Sequence, residues 1–122
     1  MNDYQEQILE HYHNPRNFGT PSWQPTYTKK LQNLSCGDEI EVFMLVENDN
    51  IKDAAFAGEG CSISIASASM FTEEIKGKNI GFIENFTIDD MLEILGIKLT
   101  TSRIRCANLV LEATKESLSS AQ

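Results

Sequence analysis

At 122 residues the chain is long enough for one apolar core and short for two. An apolar content of 41% and a charged content of 23% fit a globular protein and exclude a disordered one. Eighteen acidic residues against ten basic ones leave a net charge of −8, a field that opposes nucleic-acid backbones and anionic membrane surfaces and favours basic partner proteins.

No apolar run approaches the ~20 residues that a membrane span requires. Residues 1–10 are polar and acidic, unlike a signal peptide. The expectation is a cytoplasmic protein with no nucleic-acid or membrane role. Its three cysteines cannot all pair, and a reducing compartment keeps them as thiols.

The first predicted helix covers residues 3–13, capped by Asp3, with Tyr4, Ile8 and Tyr12 on one stripe. Asn14-Pro15 ends it, because proline forces the preceding residue out of the helical region. Gly19, Pro21 and Pro25 predict an irregular connection. Three strands follow: Thr26–Leu31, Glu39–Glu47 and Ile51–Ala57, the last two joined as a hairpin through Asn48-Asp49-Asn50. The second half reads as helical. Cys61–Lys76 places Cys61, Ile65, Ala68, Thr72 and Ile75 on one face, with Gly77 as the C-terminal cap. Residues 78–86 carry no clear pattern. Thr87-Ile88-Asp89-Asp90 has the form of a capping box opening a helix that stops at Gly96. The last helix is expected over Ala107–Leu118, with Val110, Ala113 and Thr114 inward and a frayed tail beyond. With no internal repeat, the pattern predicts one α+β domain over residues 1–122.

Each cysteine falls at an element boundary. Cys36 lies in the turn Ser35-Cys36-Gly37-Asp38, Cys61 follows Gly58-Glu59-Gly60 where a strand hands over to a helix, and Cys106 precedes the last predicted helix. An inert packing cysteine would sit inside an apolar run instead. At a helix N-terminus the macrodipole and unpaired N–H groups favour thiolate, the form that binds metal or attacks sulfur; this is expected for Cys61 and Cys106. Three thiolates and a carboxylate make a four-ligand set suited to zinc or an iron–sulfur cluster. Asp38 is the natural fourth ligand, because Gly37 lets the backbone turn so that both side chains face one point. Buried structural thiols are the competing reading.

His11 and His13, two apart on a helix, point in different directions and read as core-edge or solvated. Trp23 and the single phenylalanines read as packing residues, and Glu73, Glu74, Asp89 and Asp90 as exposed or capping ones. No nucleophile-elbow, P-loop or dinucleotide fingerprint is present in the sequence.

Four ordered segments resemble the U-type iron–sulfur scaffold family: IscU, SufU and the N-terminal domain of NifU. They are Ile8-Leu9-Glu10-His11-Tyr12-His13-Asn14-Pro15-Arg16-Asn17, Ser35-Cys36-Gly37-Asp38, Gly58-Glu59-Gly60-Cys61-Ser62-Ile63-Ser64 and Arg103-Ile104-Arg105-Cys106-Ala107-Asn108-Leu109. The resemblance implies a three-stranded antiparallel sheet packed against helices, with Cys36, Asp38, Cys61 and Cys106 as the ligands of metal or cluster. It further implies sulfur received from a cysteine desulfurase and clusters passed to iron–sulfur acceptor proteins. Arg105 stands where the IscU branch has histidine, and Leu99-Thr100-Thr101-Ser102-Arg103 replaces that branch's chaperone-read Leu-Pro-Pro-Val-Lys; both resemble the SufU branch, which implies resident zinc and a transient iron–sulfur cluster. The insertion usual in SufU proteins between the second and third cysteines does not fit between Cys61 and Cys106, so scaffold and sulfur carrier both stay open.

The leading expectation is therefore a scaffold or sulfur acceptor rather than an enzyme. Cys36 is favoured as the acceptor, since it lies on a glycine-flanked loop while the other two are expected at helix starts. The alternative is a structural zinc domain that mediates protein contacts without sulfur transfer. A thiol enzyme ranks last, because no histidine lies near a cysteine in sequence to serve as base.

Overall fold

In the computed structural model, which describes residues 3–34 and 37–119, the chain runs α1 (Asp3–His13), β1 (Tyr27–Asn33), β2 (Asp38–Glu47), β3 (Asn50–Glu59), α2 (Ser62–Ile75), α3 (Ile80–Asn85), α4 (Ile88–Leu95) and α5 (Thr101–Ser119). The strands form an antiparallel sheet in the order β1-β2-β3, as expected. Asn48 and Asp49, with φ of 53° and 63°, make the two-residue hairpin turn between Glu47 and Asn50. Left-handed φ at both central positions is what a type I′ turn needs, and its twist matches the strands it joins.

Period-two burial puts Ile40, Val42 and Met44 of β2, with Ala54 and Phe56 of β3, on the core face of the sheet. Against that face lies α2, where Ile63 to Thr72 and Ile75 are all buried. It is buried all round rather than on the single stripe expected. Its alanines and serines are small enough for the sheet, α1 and α5 to approach on different sides.

The stretch after Pro15 is pinned to this centre. Phe56 N–H donates to Asn17 O at 2.9 Å and Gly19 N–H donates to Phe56 O at 2.8 Å, covering part of the β3 edge. Asn17 Nδ2 donates to Thr72 Oγ1 and Glu73 Oε1, while His11 Nδ1 meets Ser69 Oγ at 2.7 Å. His11 is thus a core-edge residue.

Burial first, and then the Arg16 charge, lower the His11 pKa below its ordinary value, against the opposing pull of Glu10 and Glu73. The folded state therefore prefers neutral His11. Its contribution to stability is complete above the unfolded-state value of ~6.5 and is lost as pH falls through the lower folded value. Part of the decline in melting midpoint below pH ~6.5 should be absent in His11→Gln, an effect kept small by half-exposure. Identical pH profiles for the two proteins would remove His11 from the account.

Three expectations need correction. First, α5 begins at Thr101, well before Ala107. Thr100 starts it, its Oγ1 accepting from Arg103 N–H at 3.4 Å and its carbonyl from Ile104 N–H at 2.9 Å. The polar run 101–105 hides this in the sequence, because it carries only half-buried Ile104 on the inner face. Second, Gly77 does not continue α2 as a left-handed cap. Lys76 (φ −60°, ψ 129°) and Gly77 (φ 81°) are the central residues of a type II turn, closed by Lys78 N–H to Ile75 O at 3.1 Å. Third, of the α1 stripe only Ile8 is buried; Tyr4 and Tyr12 are exposed. The unassigned stretch contains α3, capped by the Asn79 side chain accepting from Gly81 N–H at 2.9 Å. The Thr87–Asp90 capping box and the Gly96 stop (φ 71°) are present as read. Residues 120–122 of the tail lie outside the described residues.

Candidate metal centre

Three elements deliver the side chains that meet at one end of the sheet. Asp38 opens β2, Cys61 is the N-cap residue of α2 directly after β3, and Cys106 lies in the second turn of α5. One ligand atom from each lies within 4.8 Å of the others. Cys61 Sγ and Asp38 Oδ2 are 3.8 Å apart. Around a tetrahedral zinc ion, thiolate and carboxylate donors sit about 3.5–3.8 Å from one another. The set thus fits zinc in donor chemistry and spacing, with three ligands in hand. Cys36, expected as the fourth and as the sulfur acceptor, lies outside the described residues.

Asp38 is the hub. It is 2% exposed, yet its carboxylate is well supplied with donors. Oδ1 accepts from Cys61 N–H at 3.2 Å and Oδ2 accepts from the Ser64 hydroxyl at 2.5 Å. Burial pushes its pKa up, but hydrogen bonds from Ser64, Cys106 and Cys61 outweigh it and hold the carboxyl below its ordinary value. The group is therefore a carboxylate at neutral pH, the form a metal ligand requires.

Two glycines make the approach possible. A Cβ on Gly60 would stand 2.8 Å from Asp38 Oδ1 and 3.0 Å from its Cγ. Gly58, at φ 142°, pairs with Ile40, where a Cβ would stand 2.0 Å from Glu39 O. Gly58 leaves no room for a side chain and a Cβ at Gly60 would push the Asp38 carboxylate aside, so these glycines let β3 bring Cys61 against the start of β2.

Cys61 occupies the expected helix N-terminus, but Cys106 does not. Because α5 starts earlier, Cys106 is buried inside the helix, and the dipole argument made for it from sequence fails. Neither thiol is bridged. An open cleft of about 680 Å³ leads to both, walled by Gly37, Asp38, Glu59, Gly60, Ser102 and Arg103. Sequence reasoning gave no role to Ser64, Gly60 or Arg103. For Ser64 a signal existed, since it follows Cys61 by three residues on a helix and so shares its face.

The family described as "NifU-like N terminal domain" matches residues 3–121. The zinc-dependent sulfurtransferase SufU of Bacillus subtilis (strain 168) is 35% identical over 130 aligned residues, covering 93% of this chain and 87% of that protein. The iron–sulfur cluster assembly scaffold protein IscU of Aquifex aeolicus (strain VF5) is 40% identical over 112 residues, covering 90% and 70%. The crystal structure of a putative iron–sulfur cluster assembly scaffold protein for the SUF system from Fervidobacterium islandicum AW-1 superposes with a TM-score of 0.78 at 24% identity, over 97% of this chain and 96% of that one. The N-terminal part of a NifU-like protein from Brucella abortus gives 0.80 at 17% identity, over 97% and 93%. At those identities the two structures speak for the fold alone.

Proposed function

The chain belongs to the NifU-like N-terminal domain family, and on that premise we propose that it accepts sulfur from a cysteine desulfurase and assembles or relays an iron–sulfur cluster. The observation that carries this reading is the convergence of Asp38, Cys61 and Cys106 at the base of an open cleft. A purely structural site would be closed by its four ligands. Here the cleft opens onto half-buried Cys61, with Cys106 buried behind it, and one ligand is a carboxylate that soft metals release more readily than thiolate.

In the resting protein Cys36, Asp38, Cys61 and Cys106 hold one zinc ion. When bound, it keeps the thiols deprotonated and ties β2, α2 and α5 together. Gly37, on the cleft wall with φ 75°, precedes Asp38 and is the sequence neighbour of Cys36, the fourth ligand in this reading. Cys36 receives the sulfur: its thiolate attacks the terminal sulfur of the donor's persulfide, the new S–S bond forms as the old one breaks, and the donor cysteine leaves as thiolate. Two electrons move with the bond and no oxidant is needed. The cluster is cargo, held transiently by Cys36, Cys61 and Cys106 and passed to acceptor proteins.

Two measurements test this. After incubation with persulfide-loaded desulfurase, the wild-type chain should gain about 32 Da in intact mass, and Cys36→Ser should not. Sulfur uptake by Cys36→Ser at the wild-type rate would move the acceptor elsewhere. Stripping the metal with a chelator should lower the melting midpoint by about 10 °C, the scale of a ligand present at a hundred times its dissociation constant. An unchanged midpoint, with metal loss verified by elemental analysis, would rule out a stabilising zinc site. The described residues include no helix long and apolar enough to cross a membrane.

A further inference from the structure

At the opposite end of α2 from Cys61, about 20 Å along the helix, lies a second groove that the metal chemistry does not use. It has a volume of about 700 Å³, and Phe82, Phe86, Ile94 and Tyr4 form its apolar part. Carboxylates of Glu74, Asp90 and Glu93 stand on its rim, and no basic residue lines it. Asp90 is engaged in the α4 capping box, but Glu74 and Glu93 have no ion-pair partner among the described residues. Next to Glu74 on the same helix, Glu73 is paired with Lys76, so the unpaired state belongs to the groove side.

The walls are set before anything binds. Phe86 packs edge-on against Phe71 in the core with centroids 5.2 Å apart, and at a tilt of 48° against Phe82 at 5.6 Å. Tyr4 lies across Gly96, where a Cβ would meet its ring at 2.1 Å. One face of the Phe82 ring is covered by the chain's own Lys78, whose Nζ lies 5.2 Å from the ring centre.

We propose that this groove docks a basic, amphipathic segment of a partner protein. An apolar side chain seats on Phe82, Phe86 and Ile94, and flanking lysines or arginines meet Glu74 and Glu93. Charge complementarity selects this occupant: an acidic segment would set like charges against two exposed carboxylates, a neutral one would give them no counter-charge, and the chain's net charge of −8 repels acidic partners at a distance. The groove and the cleft lie at opposite ends of α2 and share no lining residue.

The test uses the full chain and a labelled, end-blocked twelve-residue peptide of lysine and leucine, with a glutamate–leucine peptide as counterpart. Fluorescence anisotropy should report binding of the lysine peptide only, weakening as salt rises to ~0.15 M. Amide shifts on titration should cluster at Phe82, Phe86 and Ile94. Both glutamates are exposed, so the double variant Glu74→Lys/Glu93→Lys should keep the wild-type melting midpoint and lose affinity about tenfold or more. Glu112→Lys/Glu116→Lys, with the same charge change on the exposed face of α5, should lose far less. Equal losses in the two variants, amide shifts spread over the surface, or no binding of the lysine peptide would overturn the proposal. So would self-association of the chain alone that the Glu74→Lys/Glu93→Lys variant abolishes, which would make a second copy the occupant. No metal, cluster or persulfide enters these measurements, so their outcome is independent of the sulfur-transfer reading.

Discussion

Gly58→Ala should lower stability by about 4 kcal/mol, roughly 15 °C in melting midpoint for a chain of this size. Two costs add. The new Cβ would stand 2.0 Å from Glu39 O and 3.1 Å from Ile40 Cα, both backbone atoms of the paired strand, so β2 and β3 must separate locally. The φ of 142° is in addition closed to any residue with a side chain. The loss should extend to the site, because the same strand pair sets Asp38 against Cys61, and bound zinc should exchange faster in the variant. Gly77→Ala is the control. Its φ of 81° brings backbone strain, but nothing lies within 4 Å of the added carbon. The expected cost there is only about 1–2 kcal/mol. If thermal melts give the two variants equal losses, the close approach of the strands is not what makes Gly58 necessary.

Asp38→Ala should slow delivery of a cluster to an acceptor protein about tenfold or more, while the variant retains cluster or metal longer against a chelator. With the carboxylate gone, thiolates alone hold the cargo, and no weak oxygen ligand remains to leave first. The substitution should also cost about 1–3 kcal/mol of stability, because the Ser64 hydroxyl and the Cys61 N–H lose their acceptor. Stability and transfer are separate readouts. Decay of the cluster absorbance gives retention, and spectral appearance of the acceptor's cluster gives transfer. A variant that melts earlier but retains and transfers as the wild type would make Asp38 a structural hydrogen-bond hub and nothing more.

Much of this molecule follows from local chemistry. The hairpin at Asn48-Asp49, the α4 capping box and the Gly96 stop each depend on a few adjacent residues, and the sequence places all of them correctly. The β2 strand was equally plain, since period-two burial needs only one covered face. Asp38 and Cys61 are legible for a similar reason: each stands beside a glycine at an element boundary, a local pattern that Cys106, inside α5, does not share. By contrast, the start of α5 was misplaced because its first turn is solvent-facing and held by Thr100, a cap with no apolar stripe behind it. That error carried the Cys106 dipole argument with it.

What only the tertiary structure decided lies between elements. Asp38 and Ser64 are 26 positions apart, and their hydrogen bond exists because β3 returns beside β2 and hands directly into α2. The need for Gly58 and Gly60 is likewise set by atoms of β2, so neither shows in the local sequence. The unpaired state of Glu74 and Glu93 depends on which basic side chains fold to within reach, which composition cannot give. Periodicity and capping act within a few residues of one another and can be read along the chain. Close approach, shared donors and absent counter-charges are properties of pairs brought together by packing, and they exist only once the chain has folded.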